Sequence, residues 1–416
     1  MKEYPPRRGD KKNSEFFEEN LPKIYARRTQ SGLAELITRM RAVLVQVEFR
    51  SALRYMTELY LMTPYRFAYG CENTTHKVYI LRAHDDCPLY IILEPREENF
   101  RDQFSSYNEL YPKSGVKQAV RYLGEIYQTK RLEETKNILA SQQFRFQERE
   151  SFANEFLAHP YFYFTTPSYY TNNIVGYTES DLSDLGGLCM GSCFILSPEA
   201  HATLEKADIL QSKSGLKQMI NGIDHLATRI LCHEREDAIL EFIALSNYYF
   251  WGAYNIDDMN SSTNICRNPD VSRELISPAK VFTANNDPYY VNTIVNLPSP
   301  TEDFVRNFGK RMHHIAYEVE DGAQDDGTKN IDYVVGKLIH AEIKFLEHII
   351  GECTDFPDLK QIFSKSSPYS LLITEYVQRC HGFEGFFTKT NVGYLTHAAG
   401  QDEALKPSAV PGLAHD

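Results

Sequence analysis

Three residues with metal-binding side chains stand in apolar, strand-like stretches of the sequence. They are His225 in "GIDHLAT", His314 in "MHHIAYEV" and Glu375 in "LLITEYV". Taken singly, each has an ordinary explanation, since a strand histidine is commonly a hydrogen-bonded core residue and a strand glutamate can face solvent at a sheet edge. A carboxylate, however, is almost never fully buried unless it is paired or bound to a metal ion. Glu375 therefore needs a partner or a metal ion if its strand is buried.

The place of the two histidines in a repeated pattern favours a shared site. His225 and His314 each lie in the first strand of consecutive units with the order strand, helix, strands. Pseudo-symmetric units bring such strands side by side, and Glu375 falls in the last strand of the second unit, where it can face the same cavity. Two imidazoles and one carboxylate on one face, with other positions open, suit a non-haem Fe(II) that binds substrate and O₂ together. A bound metal ion would also remove the cost of burying Glu375.

The same order of elements runs through the whole chain. In the first half, "RAVLVQVEF" predicts a strand, "RSALRYMTELYLM" an amphipathic helix, and "KVYILRA" and "PLYIILEP" further strands, before a second round begins near residue 115. In the second half, strands are predicted at 221–231 and 311–321, with helices at 235–250 and 330–347. We therefore predict an α+β fold built from repeated modules.

The chain divides into five predicted segments. These are a polar, frayed lead over 1–30, an N-terminal domain over 31–177, a connector with a short helix over 178–219, a C-terminal catalytic domain over 220–399, and a flexible tail over 400–416. In the N-terminal domain, "AVLVQVEF" occupies the strand that would carry the first histidine and contains none. We expect this domain to be metal-free and kept for packing or oligomer contacts, and the protein to be a homo-oligomer, a dimer.

Charge and cysteine usage exclude several classes of protein. A formal charge of −12 argues against a nucleic-acid-binding protein, and neither an 18-residue apolar stretch nor a secretory signal is visible. We therefore expect no membrane partner and a cytoplasmic location. The eight cysteines are scattered, which favours reduced thiols. Cys189 and Cys193 form a CxxxC pair that is a weak signal for zinc or redox chemistry, and two ordinary thiols are the preferred interpretation.

The C-terminal half resembles the vicinal-oxygen-chelate superfamily, and within it the family of 4-hydroxyphenylpyruvate dioxygenase and hydroxymandelate synthase. The motifs "DHLA", "VNLPSP", "HHIAYEV", "LKQIFSK" and "EYVQR" follow in family order over residues 220 to 395, with the aromatic "GFEGFF" after them. The N-terminal half agrees only in architecture. The resemblance implies βαβββ modules that form two open-barrel domains.

The resemblance also assigns roles to particular residues. It implies that His225, His314 and Glu375 are the iron ligands and that further residues line the substrate pocket. The polar pocket residues are Asn296 and Gln361, and the candidates for an aromatic wall near the metal are Phe383 and Phe387.

The sequence departs from the family pattern around the substrate. His313 stands where a glutamine usually precedes the second iron-binding histidine, and strand alternation predicts that His313 faces outward while His314 faces inward. The segment "SPAKVFTANNDPYY" offers Ser277 or Ala279 where the family has a serine. The glycine-rich "GFGxGN" has become "GFEGFFTKTN". With the ligands intact, these changes indicate retained oxygen chemistry on a different molecule.

Three functions are consistent with these residues. The leading hypothesis is an Fe(II)-dependent dioxygenase that decarboxylates a 2-oxo acid, arylpyruvate-like or related, and hydroxylates the same molecule with O₂. The alternative is another metal-dependent enzyme of the superfamily, either an extradiol ring-cleaving dioxygenase or a glyoxalase- or epimerase-like enzyme. The third is a binding or scaffold protein with a vestigial site, which would bind no metal tightly and consume no oxygen.

Overall fold

The computed structural model describes most of the chain. The described residues are 11–84, 87–180, 182, 191–256, 259–269, 278–292, 297–346 and 348–400. Three residues singled out from the sequence, Asn296, Ser277 and Cys189, lie outside these ranges, as does the predicted tail beyond Gly400.

An eight-stranded sheet forms the first half of the fold. Its strands are β1 (Ile37–Gln46), β2 (Arg66–Glu72), β3 (His76–Arg82), β4 (Leu89–Pro95), β5 (Arg121–Thr129), β6 (Tyr163–Phe164), β7 (Ile174–Thr178) and β8 (Ser192–Phe194). They are arranged in the order β6-β7-β5-β1-β4-β3-β2-β8.

A seven-stranded sheet forms the second half. Its strands are β9 (Ile220–Arg229), β10 (Tyr249–Ile256), β11 (Ser261–Arg267), β12 (Ala279–Ala284), β15 (Arg311–Val319), β16 (Asp358–Phe363) and β17 (Ile373–Cys380). They are arranged in the order β10-β11-β12-β9-β15-β17-β16. The segment "YYVNTIVNLPSP" contributes a separate two-stranded sheet of β13 (Val291–Asn292) and β14 (Leu297–Pro298).

Helices connect and cover the sheets. The α-helices are α1 (Lys11–Gln30), α2 (Leu33–Leu36), α3 (Ala52–Met62), α4 (Gln103–Glu109), α5 (Leu132–Ser141), α6 (Pro198–Lys213), α7 (Arg235–Leu245), α8 (Pro300–Phe308), α9 (Asn330–His340) and α10 (Lys389–Gly400). Single 3₁₀ turns lie at Ser114–Val116, Arg149–Ser151, Leu216–Gln218 and Cys232–Glu234. Across the ranges that the structure describes, no helix is both long and apolar enough to cross a membrane.

Both sheets follow the repeated order of elements that the sequence predicts. β1 and β9 each begin a module with one helix and three further strands, and the last strand of the module returns parallel to the first. The second module of each sheet has two further strands. Its remaining strand is reduced to isolated antiparallel bridges, Phe146 with Thr165 in the first sheet and Phe345 with Ser364 in the second. The first strands of the two modules pair antiparallel at the centre of each sheet. The predicted α+β fold with two open sheets is confirmed.

Residues 11–30 of the predicted N-terminal lead form helix α1, which packs against the rest of the fold rather than fraying. Phe17 of α1 is buried and stacks on Phe250 with ring centroids 4.5 Å apart. Arg28 is also buried and donates to the carbonyl oxygens of Ile243 and Tyr248 at 2.8 and 2.5 Å. Tyr25 also accepts a hydrogen bond from the backbone N–H of Phe250 at 3.0 Å, so α1 is attached to the second half of the chain at several points despite its polar composition.

The two halves share one apolar core. Tyr65 and Tyr317, from opposite halves, meet edge to face at 6.4 Å, and Tyr376 donates to the carbonyl oxygen of Met62 at 2.7 Å. Buried phenol hydroxyls need such acceptors. The N-terminal half therefore packs against the strands of the second sheet and supports them.

Several predicted elements end earlier or later than the sequence pattern indicates. The helix expected over 235–250 ends at Leu245, and residues 249 onward form β10. The helix expected over 330–347 ends at His340, whereas the connector helix is longer than predicted and spans Pro198–Lys213. Apolar residues continue past both early helix ends, so periodicity alone does not mark the boundary.

One pair of cysteines contradicts the expectation of reduced thiols. Cys353 and Cys380 form a disulfide with Cα atoms 5.6 Å apart. The bond ties the segment before β16 to the end of β17. Cys193 is exposed in β8, and the interpretation of the CxxxC pair as two ordinary thiols stays a prediction because Cys189 is not described.

Candidate metal centre

Strand pairing brings the three sequence-predicted residues into one row of the second sheet. Ala316 of β15 lies opposite His225 of β9 and beside Glu375 of β17. Because the middle residue is an alanine, its methyl group leaves space for the two longer side chains to meet. His314, two residues earlier on β15, completes the group.

The donor atoms are spaced like ligands of one metal ion. His225 Nε2 lies 3.0 Å and His314 Nε2 3.2 Å from Glu375 Oε2, and the two Nε2 atoms are 3.3 Å apart. Metal–ligand bonds of about 2.1 Å that meet at right angles would place the donors about 3.0 Å apart. All three side chains are buried. Two imidazole nitrogens and one carboxylate oxygen on one side of a point are a donor set for a divalent metal ion with open positions.

Asp224 and Arg379 fix the orientation of His225. His225 Nδ1 lies 2.7 Å from Asp224 Oδ1, and the Arg379 guanidinium donates to both carboxylate oxygens at 2.8 and 3.1 Å. Although burial opposes ionisation, Arg379 lowers the pKa of Asp224. A charged Asp224 accepts a hydrogen bond from the N–H at Nδ1 of His225. The other ring nitrogen, Nε2, therefore faces His314 and Glu375.

The same carboxylates favour a second proton on His225 when no metal ion is bound. Burial alone would lower its pKa, but Glu375 and Asp224 raise the pKa of His225 to about 9. A metal ion must therefore displace a proton from Nε2 at neutral pH.

Gln361 holds the carboxylate of Glu375. Its Nε2 donates to Glu375 Oε1 at 2.6 Å, which leaves Oε2 for the two histidines. Gln361 is fully buried, and its own Oε1 has no hydrogen-bond partner among the described residues. The sequence assigned Gln361 to the substrate pocket. The structure places it in the cavity wall in direct contact with Glu375.

A β-bulge places His313 and His314 together, contrary to simple alternation. Met312 pairs with Thr228 and His314 with Ala227, so His313 is one extra residue in β15. His313 is buried rather than outward-facing, and its Nδ1 lies 2.8 Å from His314 Nδ1. Burial and the charge of Arg229 hold the pKa of His313 well below its usual range. The expectation that His314 faces the group agrees with the structure, and the outward orientation of His313 is wrong.

Aromatic residues after β17 close the site. Phe387 is buried with its ring centroid 5.1 Å from that of His225, and Phe386 lies 5.8 Å from the same ring. Phe387 lines the cavity, whereas Phe383 is only part of the surrounding apolar cluster. Phe386 was not singled out from the sequence. Its φ is positive, at 60°, and the Arg379 guanidinium donates to its carbonyl oxygen at 2.6 Å.

The cavity beside the candidate ligands is small and is lined by both polar and apolar side chains. Its volume is about 40 Å³, and its walls include His313, His314, Gln361, Glu375 and the Val392–Thr396 side of α10. Ala279, the alternative to Ser277 in the sequence, pairs with His225 across β12 and β9 and offers no hydroxyl there.

Arg229 is a member of this cavity that the sequence analysis missed. It lies on β9 four residues after His225, is buried, and donates to the carbonyl oxygen of Pro300 at 3.0 Å. Burial lowers the pKa of Arg229 to about 9, while Asp303 acts in the opposite direction, so the side chain stays charged at neutral pH. An arginine at the end of a strand usually faces solvent, so the sequence pattern does not indicate that Arg229 is buried in the cavity.

The first sheet has an apolar interior in the equivalent region. Ala42, Leu44, Leu123, Ile126 and Ile174 are buried in one cluster on β1, β5 and β7, the strands that correspond to β9, β15 and β17. Within the described ranges, His225, His314 and Glu375 form the one group of three or more potential metal-binding side chains. The absence of a metal from the N-terminal half stays a prediction.

Comparison with known proteins gives matches in structure only. No protein-family model matches the chain, and no curated protein matches its sequence. A mutant of 4-hydroxymandelate synthase from Streptomyces coelicolor is 11% identical with a TM-score of 0.58, and the match covers 89% of this chain and 98% of that one. A xylose isomerase-like TIM barrel/4-hydroxyphenylpyruvate dioxygenase fusion protein is 12% identical with a TM-score of 0.56, over 93% of this chain and 58% of the fusion. At such identities the likeness shows the fold alone, and that fold agrees with the one that the resemblance implied.

Proposed function

We propose that the protein is a non-haem Fe(II)-dependent dioxygenase that decarboxylates a 2-oxo acid and hydroxylates the same molecule with O₂. The observation that carries the proposal is the buried group of His225, His314 and Glu375, whose donor atoms lie 3.0 to 3.3 Å apart. The shared fold with 4-hydroxymandelate synthase is consistent with this chemistry.

The donor set fits Fe(II). Two neutral imidazoles and one carboxylate leave coordination positions for a chelating substrate and for O₂. The hydrogen bonds to Asp224 and Gln361 support the fit, because they orient one histidine and the carboxylate from behind. Fe(II) held there would supply the activation of O₂ that a protein side chain cannot perform.

The protein's own groups would orient the reactants and exclude water. Asp224 keeps the Nδ1 proton of His225 in place, and Gln361 keeps one oxygen of Glu375 turned towards the histidines. Phe386 and Phe387 cover the site on one side, and α10 covers it on another. A dry, closed cavity protects a reactive step from side reactions with solvent.

The isomerase alternative is less consistent with the site. Glyoxalase- or epimerase-like chemistry favours four protein ligands, and the metal-binding group within the described residues has three members. Extradiol ring cleavage requires the same three ligands, and substrate screening separates it from the leading proposal.

The remaining assignments are also proposals. We propose a small-molecule 2-oxo acid and O₂ as the partners, a homodimer as the assembly, and a cytoplasmic location. The disulfide between Cys353 and Cys380 is the observation that opposes a reducing compartment. Phe387 is preferred over Phe383 as the aromatic wall because it lines the cavity.

Oxygen uptake tests the proposed activity. The protein is reconstituted anaerobically with Fe(II) and screened with 2-oxo acids and with catechols for O₂ consumption and CO₂ release. Equal consumption of O₂ and release of CO₂ with a 2-oxo acid is the expected result. Turnover of a catechol without CO₂ would favour ring cleavage, and bound iron without turnover of any 2-oxo acid would contradict the proposal.

A further inference from the structure

A buried guanidinium lines the cavity without a direct salt bridge, although Asp303 acts on it from beyond salt-bridge distance. Arg229 is 4% exposed, and one of its terminal nitrogens donates to the carbonyl oxygen of Pro300. Among the described residues, no carboxylate lies within salt-bridge distance, 4.0 Å, of this guanidinium. Buried charges are ordinarily paired, because an unpaired ion loses its hydration without compensation. An anion that enters the cavity would supply the missing partner.

A second buried polar atom lines the same cavity. His313 Nε2 is buried and has no hydrogen-bond partner among the described residues, while Nδ1 lies 2.8 Å from His314 Nδ1. A ligand that enters the cavity can form a hydrogen bond with this ring nitrogen.

Arg229 and His313 pack against the same aromatic ring. The Arg229 guanidinium lies over the ring of Phe304 at 5.0 Å, and the His313 ring meets Phe304 edge to face, also at 5.0 Å. Arg229 and His313 both line the cavity that contains His314 and Glu375. Threonine side chains complete the polar part of the wall, at Thr263, Thr283, Thr301 and Thr396.

The chemistry of the two side chains restricts what they can bind. A terminal anionic group matches a buried guanidinium beside a buried imidazole in the cavity wall. A guanidinium fork binds a carboxylate through two parallel hydrogen bonds.

We propose that Arg229 and His313 form a carboxylate subsite, so that the preferred substrate is a 2-oxo acid with a second carboxylate. This inference rests on the proposed function, because the 2-oxo acid end must face His225, His314 and Glu375 for the second carboxylate to reach Arg229.

A matched pair of ligands isolates the second carboxylate. 2-Oxoglutarate and 2-oxopentanoate have the same five-carbon chain and differ in one terminal carboxylate. Their dissociation constants are measured anaerobically by calorimetry on the full-length Fe(II)-loaded protein, with oxaloacetate and 2-oxobutyrate as a shorter pair and phenylpyruvate as the aryl probe. We expect the dicarboxylate of at least one pair to bind at least tenfold more tightly than its monocarboxylate. Arg229→Met should abolish this preference while changing the Fe(II) affinity less than threefold.

Two further variants keep the test decisive. Arg229→Lys retains the charge without the fork and should keep part of the preference, which gives a result even if Arg229→Met does not fold. Arg306→Met removes an exposed cation on the neighbouring helix α8 and should change nothing. Wild-type protein that binds Fe(II) but shows no dicarboxylate preference in either pair, or an unchanged preference in Arg229→Met, would overturn the subsite alone. Wild-type protein that binds no Fe(II) would instead overturn the proposed function.

Discussion

Replacing Asp224 with asparagine should weaken metal binding without changing the three candidate ligands. The Asp224 carboxylate accepts from His225 Nδ1 at 2.7 Å and from Arg379 at 2.8 and 3.1 Å. An asparagine has one acceptor oxygen, so it can serve His225 or Arg379 fully but not both. It also removes the negative charge that favours the Nδ1 proton of His225.

The expected loss can be estimated from the role of Asp224. Removing a partner that orients a metal-binding histidine typically costs 10- to 100-fold in metal affinity, which corresponds to about 1.4 to 2.8 kcal/mol. The lower end assumes that the amide oxygen still accepts from His225. The upper end applies if the asparagine turns its oxygen towards Arg379, because His225 Nδ1 then loses its acceptor.

The assay is an anaerobic titration with Co(II) or Fe(II), followed by calorimetry, together with thermal unfolding of each protein. Asp332→Asn is the matched control, because Asp332 pairs with Lys360 at 2.5 Å in the same half of the chain and away from the candidate ligands. We expect this control to bind metal like the wild type. A folded Asp224→Asn protein with wild-type metal affinity would refute the argument that Asp224 sets the orientation of His225.

Three further outcomes follow from the site. Gln361→Leu removes the donor to the Glu375 carboxylate, so the metal titration should show a loss of about tenfold in affinity, and unchanged affinity would contradict the role given to Gln361. Because the pKa of His225 is raised to about 9, its imidazolium form dominates below that pH. Metal affinity should therefore fall about tenfold as the pH is lowered from 8 to 7. Metal titrations at several pH values that show no dependence of the affinity on pH would contradict the raised pKa. Phe387→Ala should lower the unfolding free energy by about 3 kcal/mol and admit larger 2-oxo acids in binding assays, with the metal affinity retained; a folded variant that has lost metal binding would show that Phe387 also supports the ligands.

The clustering of the candidate ligands could be anticipated from the sequence. His225 and His314 occupy the first strands of two like modules, and the module symmetry pairs those strands at the centre of the sheet. Glu375 follows because the last strand of a module returns beside the first. Their role as metal ligands stays a prediction until metal binding is measured.

Other features could not be derived from side-chain patterns. The bulge at His313 adds one residue to β15, and strand alternation assumes that no such residue exists. Arg229 is buried in the cavity although arginine at a strand end is usually exposed. The polar start of α1 hides a few large side chains, such as Phe17, that reach the other half of the chain. These features depend on contacts between segments far apart in sequence.

An anaerobic Fe(II) titration of the wild type and of Glu375→Gln tests the metal centre most directly. Glu384→Gln serves as the control, because Glu384 is an exposed carboxylate after the same strand. The wild type and the control should bind one Fe(II) per chain, and Glu375→Gln should lose that binding while it remains folded. Wild-type protein that binds no Fe(II), or Glu375→Gln protein that binds it as tightly as the wild type, would contradict the assignment of His225, His314 and Glu375 as the metal site.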